Sequence, residues 1–500
     1  MHTNLCSTGI SGLDDILRGG LPRNRFYLVE GHPGAGKTTL ALQYLLEGAK
    51  SGERGLYITL SETQEELVEV ATSHGWDLDT IATFELSAAE QQQANPLPNT
   101  VFYASEVELA HTMQVILQEV EKIKPSRIVF DSLSELRLLA QDPLRYRRQM
   151  LALKHYFAGR KCTVFLLDDK TANIDHHVQS IAHGVISLDQ VSPDYGITRR
   201  RLEITKLRGV NFRAGKHDYT IQTGGLEVFP RLIAAEHAND FDRSAVSSGV
   251  PALDTLLGGG LDRGTSTIIM GPSGTGKSNI AARFAVAAAE RGENVASFIF
   301  DETIETYVGR AAGLGMNMRT PNISMRQVDP AELSPGEFVA MLRQKVEQAN
   351  TKLLIIDSLN GYLNAMTEER MLMLQLHELL TYLNKQGVVT ILTLAQIGML
   401  GIATRSPVDL TYLGDAVLLL RFFEHGGALK KALSVVKKRT GAHEETIREL
   451  SFSGSKISVG EPLRAFKGIL TGTPAFMGNA GPNRLDGHEG EGDGSTTQPG

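Results

Sequence analysis

Two stretches of this 500-residue chain combine glycines, a lysine and a hydroxyl at a spacing that can hold a polyphosphate. The first is Gly31-His32-Pro33-Gly34-Ala35-Gly36-Lys37-Thr38, followed by Thr39. The second is Gly271-Pro272-Ser273-Gly274-Thr275-Gly276-Lys277-Ser278, followed by Asn279. Glycines let backbone N–H groups close around phosphate oxygens with no Cβ in the way, and a helix starting at the lysine adds its partial positive charge. Lys37 and Lys277 then suit the β- and γ-phosphates, and the Thr38 and Ser278 hydroxyls suit Mg²⁺. One such octet could arise by chance in a chain with 50 glycines. Two, each between a strand-like run and an amphipathic one, argue against chance and for two nucleoside triphosphate sites.

Acids recur at matching places. Gly55 to Leu60 reads as a buried strand ending at Ser61-Glu62, and the second half carries Asp301-Glu302 at the corresponding strand end. In an open parallel sheet, ligands meet the carboxyl ends of strands. Glu62, Asp301 and Glu302 are therefore candidate catalytic carboxylates that polarise a nucleophile beside the γ-phosphate. Glu62 would also suit the first turn of the helix that follows, where acids are favoured without any catalysis; its recurrence as Glu302 favours the catalytic reading. Arg127 to Asp131 and Leu353 to Asp357 are apolar runs closing on an acid. This is the Walker B pattern, expected on a strand next to the P-loop strand, with Asp131 and Asp357 holding Mg²⁺. Further on, Lys206 with Arg208, and Lys437 with Arg439, put two cations at i, i+2 on one strand face, where they can reach a single anion or simply guard a sheet edge. His176, His177 and His183 have no fixed ligand partners, so no metal is expected there.

The elements that must position these residues are duplicated. Lys277 lies 240 positions after Lys37, and the offset holds without a gap from Ser7 to Thr63. Asp357 lies 226 positions after Asp131, so insertions and deletions separate the copies beyond that point, as expected of surface connections. The expected organisation is domain one over residues 1–230, a linker over 231–244, domain two over 245–470, and a disordered tail over 471–500 that is rich in Gly, Pro, Asn and Asp. Each domain reads as α/β: apolar strands at 26–30, 55–60, 127–131 and 163–168 alternate with helices at 39–49, 105–122 and 146–157. Two strands at 184–190 and 200–206 follow. In domain two, Met371, Leu372, Leu374, Leu376, Leu379 and Leu380 fall at helical spacing and are read as a packing face. The Ser7 to Leu17 opening is read as a short lid on the core.

Composition narrows the function. The formal net charge of −7 argues against a nucleic-acid-coating protein, and no basic, aromatic-interleaved loop follows the Walker B strands. Arg145, Arg147 and Arg148 read as solvated or as part of a subunit face. Two distant cysteines, Cys6 and Cys162, argue against a disulfide framework and for a reducing cytoplasm. No apolar run has transmembrane length, so no membrane role is expected.

With these residues in hand, the chain resembles the KaiC family of double-domain clock ATPases and autokinases, within the wider RecA/RadA-like P-loop NTPases. The resemblance rests on Ser7-Thr8-Gly9-Ile10 with Leu13-Asp14, the two octets, Arg199-Arg200-Arg201-Leu202-Glu203-Ile204-Thr205-Lys206-Leu207-Arg208-Gly209, and Ile355-Ile356-Asp357-Ser358-Leu359; it covers nearly the whole chain apart from the tail. It implies two tandem RecA-like domains, each a mainly parallel twisted sheet flanked by helices, in a homohexamer of two stacked rings with ATP and Mg²⁺ at subunit interfaces. It further implies that Lys206, Arg208, Lys437 and Arg439 reach the γ-phosphate of a neighbour's ATP. The family carries two adjacent glutamates at each catalytic strand end, whereas domain one here has Ser61-Glu62 and domain two Asp301-Glu302. The family's Ser-Thr phosphoacceptor pair falls on Thr411 and Tyr412, the latter a longer side chain in a geometry that tolerates little displacement. The implied partners are further copies of the chain and KaiB-like or two-component signalling proteins. Three functions compete: a KaiC-like signalling ATPase, a DNA-acting RecA-type recombinase or helicase, and a nucleotide-gated scaffold with little turnover.

Overall fold

A computed structural model of the protein describes residues 4–86, 104–170, 176–192, 196–364, 369–396, 411–454, 456–470 and 474–478. The chain divides into two compact units. The first comprises residues 1–233 with 329–345 and 367–375; the second comprises 234–328, 346–366 and 376–500. Most of the expected linker thus groups with the second unit, and two segments expected in domain two, 329–345 and 367–375, group with the first.

In the first unit the large sheet is built from β1 (Phe26–Gly31), β2 (Gly55–Thr59), β3 (Ile81–Glu85), β4 (Arg127–Asp131), β5 (Thr163–Asp169), β6 (Gly184–Val191), β7 (Arg199–Leu207), β8 (Lys216–Gln222) and β9 (Gly225–Phe229). Their spatial order is β9-β8-β7-β6-β1-β5-β4-β2-β3. The strands from β6 to β3 in that order are parallel, and β7, β8 and β9 extend the sheet as antiparallel strands. The second unit repeats the plan with β10 (Ser266–Gly271), β11 (Asn294–Ile299), β12 (Ile323–Gln327), β13 (Thr351–Asp357), β14 (Val389–Ala395), β15 (Ala416–His425), β16 (Ala428–Lys438), β17 (Arg448–Ser453) and β18 (Lys456–Pro462), ordered β12-β11-β13-β14-β10-β15-β16-β17-β18. The P-loop helices are α1 (Lys37–Lys50) and α2 (Lys277–Glu290).

The reason for the parallel centre is visible in the residues. Tyr27, Leu28 and Val29 in β1, and Ile268 and Ile269 in β10, are fully buried; strands that are apolar on successive residues need helices on both faces, which parallel crossovers provide. In the first unit one face of the sheet packs with α1 around Leu40, Leu42 and Tyr44, the other with helices Ala104–Ile123 and Pro143–Ala158 around Ile116, Met150 and Phe157.

Three expectations need correction, and part of each sheet went unread. The Walker B strands are not next to the P-loop strands: β5 lies between β1 and β4, and β14 between β10 and β13. Hydrogen-bonding β1 to β5 places the carboxyl end of a further strand beside the loop, and the acid still reaches the loop from one strand farther away. Leu374 is exposed while Leu372, Leu376, Leu379 and Leu380 are buried, because only the latter follow the i, i+4, i+7, i+8 stripe; the Met371 side chain lies outside the described residues. Ala475–Phe476 pair with Phe466–Lys467 inside the segment expected to lack structure, where Phe476, Phe466 and His425 form an aromatic cluster. The remainder of that tail, 479–500, lies outside the described residues. The sequence reading also stopped short of the antiparallel extensions β8, β9, β17 and β18.

The opening Ser7-Thr8…Asp14 motif is a structural clasp. Asp14 accepts from the Ser7 hydroxyl (2.7 Å), the Thr8 hydroxyl (2.8 Å) and the Thr8 N–H (2.9 Å), and Asp254 accepts likewise from Ser247 and from the Ser248 N–H.

The units differ in how one carbonyl near this clasp is satisfied. In the first, buried Arg127 donates to the carbonyls of Ser7 (2.8 Å) and Tyr44 (2.7 Å), pairs with Glu53 and lies over the Tyr44 ring. In the second, Leu353 takes the register position of Arg127, and Arg291 reaches the Ser247 carbonyl instead (3.0 Å). The helix position beneath changes in step. A Cβ on Gly48 would lie 2.5 Å from Arg127 Cδ, and the residue 240 positions later is buried Ala288. Gly48→Ala alone should destabilise the first unit by about 1–3 kcal/mol through overpacking, and Arg127→Leu alone by about 2–4 kcal/mol by removing the donor to two carbonyls and one of the two cations on Glu53, which keeps Arg23. The double variant, which copies the second unit, should cost at least about 1 kcal/mol less than the sum in denaturant titrations; strict additivity would show that the two positions are not coupled.

Candidate functional site

Each octet is shaped by glycines that no other residue can replace without strain. Gly36 (φ 91°) and Gly276 (φ 104°) sit in the left-handed region immediately before the lysine that opens α1 or α2. A Cβ on Gly36 would lie 2.6 Å from Ile221 Cδ1, and one on Gly276 would lie 2.3 Å from Phe452 Cζ. The first-turn N–H groups of both helices have no partner within the helix and point toward the loop. The loops are braced differently: the Tyr219 hydroxyl donates to the Ala35 carbonyl (2.6 Å), whereas the Thr275 hydroxyl donates within its own loop to Pro272 (2.8 Å). Gly34, Ser273 and Gly274 form the exposed rim. Of the outer candidates, Asn279 is half-buried on the first turn of α2, while the Thr39 hydroxyl is engaged by the His74 ring at 3.4 Å.

The lysines curl over these loops. Lys277 Nζ donates to the carbonyls of Gly271 and Pro272, each at 2.9 Å, and burial pushes its pKa down against the pull of Asp357 and Asp301. Lys37 Nζ donates to the carbonyls of Gly31 (3.0 Å) and His32 (3.3 Å) and also pairs with Asp169 (2.8 Å) at the end of β5. An ammonium held by neutral carbonyls is ready to exchange them for phosphate oxygens.

The strand-end acids converge on the loop hydroxyls. Asp131 is buried and accepts from Thr38 Oγ1 (3.2 Å) and the Tyr57 hydroxyl (2.5 Å); burial raises its pKa against those two hydrogen bonds and Lys37. Asp357 is equally buried, accepts from Thr393 Oγ1 (2.5 Å), and leaves Oδ2 buried with no hydrogen-bond partner among the described residues. Burial raises its pKa too, opposed by the Thr393 and Ser278 hydroxyls. A carboxylate facing a P-loop hydroxyl is the hard-oxygen set that suits Mg²⁺, and dry carboxylates of raised pKa are what a divalent cation relieves. Thr38 with Asp131, and Ser278 with Asp357, fit the ion, which would neutralise charge on the β- and γ-phosphates.

The glutamates are not equivalent. Glu62 has one carboxylate oxygen buried with no hydrogen-bond partner among the described residues, and burial, reinforced by Asp131 and Glu66, pushes its pKa up. Its backbone is fixed by Thr59, whose hydroxyl accepts from Glu62 N–H (3.0 Å) and donates to Glu62 C=O (2.6 Å). Glu302 instead forms a two-pronged ion pair with Arg310, at 2.7 and 3.0 Å. Asp301 accepts from Ser358 Oγ at 2.5 Å, next to the Walker B acid.

The paired cations fold onto nearby carbonyls. Lys206 Nζ donates to the carbonyls of Gln179 (2.6 Å) and Ser180 (3.2 Å), and Arg208 donates to that of Ser180 (3.1 Å). Burial pushes the Lys206 pKa down, with Arg208 and Lys154 adding to it. In the second unit, Lys437 donates to the carbonyls of Thr411 (2.8 Å) and Gly414 (2.7 Å), and Arg439 to that of Tyr412 (3.0 Å). The candidate acceptors and the paired cations, separated by 26 positions for Thr411 and Lys437, thus meet on one surface where the Tyr412 side chain is exposed. The histidines do not form a readable group: the His176 and His177 side chains lie outside the described residues, and burial holds the His183 imidazole down at about 4.

Four site residues escaped the sequence reading. Tyr57 and Tyr219 look like ordinary core aromatics of a strand. Arg310 looks like a solvated helix charge. Asp169 follows an acid already counted as a strand end, and only the β1–β5 pairing carries it to Lys37.

The KaiC ATPase family model matches residues 6–233 and again residues 246–464. Curated relatives of similar length include the circadian clock protein KaiC3 of Synechocystis sp., 26% identical over 96% of this chain and 96% of its own length. They also include the circadian clock oscillator protein KaiC of Parathermosynechococcus lividus, 26% identical over 96% and 89%, and that of Synechococcus elongatus, 26% identical over 93% and 91%. No helix among the described residues is long and apolar enough to cross a membrane. Two matched P-loops, each with a buried strand-end acid facing the loop and each inside a match to the same model, make the chain a double-domain ATPase of the KaiC family.

Proposed function

We propose that both octets bind ATP with Mg²⁺ in a homohexamer, and that the second unit adds autophosphorylation to hydrolysis. The single observation that carries the second half of this reading is that Lys437 and Arg439 hydrogen-bond the carbonyls of Thr411, Tyr412 and Gly414. Cations that contact a neighbour's γ-phosphate would then bring the Thr411 and Tyr412 hydroxyls to the same phosphate. In the first unit Lys206 and Arg208 would play the trans role; the hydroxyl of Ser180, whose carbonyl they contact, is engaged by Arg147 (3.2 Å), and water is taken as the acceptor there.

The two glutamate settings support this division. Glu62, with its pKa raised and one oxygen unpartnered, is suited to take a proton from water as the water oxygen bonds to the γ-phosphorus and the bond to the bridging oxygen breaks, releasing ADP and phosphate. Glu302 is restrained by Arg310, which leaves Asp301-Glu302 to accept the proton of an attacking side-chain hydroxyl, with ADP as the leaving group and phosphate retained on the chain. Nucleotide and phosphorylation state would then set the shape of the assembly, to be read by KaiB-like or two-component partners. The relatives' names as clock proteins support a timing or signalling role.

Three outcomes follow. Glu62→Gln and Glu302→Gln, assayed separately, should each lower turnover at their own site by roughly 10²–10⁴-fold; if neither does, the base assignment is wrong. With the second site silenced by Lys277→Ala, turnover should fall on the acid side as pH drops through the raised Glu62 pKa, above the range of an ordinary glutamate, since only the ionised form accepts a proton. A limb at the ordinary glutamate position would remove Glu62 as the titrating base. Sizing the full chain with and without ATP·Mg²⁺, followed by phosphosite mapping of the same sample, should give a hexamer with ATP and phosphate on Thr411 or Tyr412. Absence of phosphate on both would leave the second unit a simple ATPase.

A further inference from the structure

The first P-loop lysine has an acidic partner that the second lacks among the described residues. In the first unit β5 pairs with β1 so that Gly31 faces Asp169, and Asp169 Oδ1 lies 2.8 Å from Lys37 Nζ. In the second unit β14 pairs with β10 in the same register, and Gly271 faces Ala395. The side chains that hold these two strand ends differ in the same sense. Ser134 Oγ lies 3.4 Å from Asp169 Oδ2 and 3.3 Å from Asp168 Oδ1, and Arg137 pairs with Asp168. At the corresponding place Asn360 holds the backbone of Ala395 in both directions, donating to its carbonyl (3.1 Å) and accepting from its N–H (2.7 Å). One unit has a side-chain network that presents a carboxylate to the P-loop lysine; the other closes the same space with an amide on a main chain.

We propose that Asp169 is a positioning residue that competes with the polyphosphate for Lys37 and makes the first site the weaker nucleotide binder of the two. The proposal rests on reading both octets as ATP sites. A carboxylate against the lysine repels an incoming triphosphate and occupies the ammonium that the phosphates need, and both effects act at contact distance, with the lysine side of the pair largely buried. Asp169 is not a catalytic residue on this reading: it acts through Lys37. Ser61 stands where the second unit carries Asp301, so beyond the matched Walker B acids and glutamates each unit has one extra carboxylate, at the end of a different strand.

The test uses the full chain and a non-hydrolysable ATP analogue with Mg²⁺, followed by titration calorimetry. Lys277→Ala reports the first site and Lys37→Ala the second. Added to Lys277→Ala, Asp169→Asn should tighten binding by roughly tenfold and lower the KM for ATP at that site. Added to Lys37→Ala, Ala395→Asp should weaken binding at the second site by a similar factor. Tighter binding is a readout that loss of a merely structural contact would not produce. Unchanged or weaker binding in Asp169→Asn would overturn the proposal, whatever Ala395→Asp does to folding. One analogue per chain in each lysine variant with no Asp169 effect would defeat this inference alone. No binding in either would defeat the ATP-site reading and the inference with it.

Discussion

A carboxylate kept out of water at the end of an apolar strand is the constraint from which the rest of each site follows. Asp131 and Asp357 are buried, and burial raises both pKa values, so the folded chain tolerates them only with hydroxyl donors or a cation at hand. The donors come from places fixed by the fold: Thr38 from the first turn of α1, Tyr57 from β2, and Thr393 from β14. The glycine octet puts the helix start where its hydroxyl can meet the acid, and the same geometry gathers unpaired N–H groups, a lysine and an acid around one small volume. Phosphate and Mg²⁺ chemistry is what such a gathering can do.

The repetition of that arrangement makes the differences between the units informative. The shared parts are backbone geometry: left-handed glycines before Lys37 and Lys277, the clasps at Asp14 and Asp254, the sheet order. The divergent parts are side chains that touch the same atoms by other routes. Arg291 replaces Arg127 at one carbonyl, Thr275 replaces Tyr219 as a loop brace, and Asn360 with Ala395 replaces Ser134 with Asp169. Duplication preserved what the main chain must do and left charge placement free to differ, and charge placement is what tunes a lysine or a glutamate.

Much of the site was legible because its demands are local. The octets impose residue types at fixed spacing, and the strands Phe26–Gly31 and Arg127–Asp131 announce themselves as apolar runs too short for helices. Other parts were not legible for equally physical reasons. Lys216–Gln222 is half-polar with an irregular alternation, so nothing in its hydropathy marks the strand that carries Tyr219 to the loop. Leu374 entered the expected packing face because a leucine-rich helix offers more apolar residues than one stripe can bury.

By itself the sequence determined the two nucleotide loops, the acids behind them, the duplication and the α/β class, since each depends on neighbours along the chain or on one unit repeating another. Only the tertiary structure decided strand order, and with it that β5 and β14 stand between the P-loop and Walker B strands. It also decided that Asp169 meets Lys37, that Arg310 meets Glu302, and that Lys437 and Arg439 meet the backbone of Thr411 and Tyr412. Those contacts join residues that are far apart in the chain or on different elements. Their partners are set by which strands pair and how helices cross the sheet, and no local spacing encodes that.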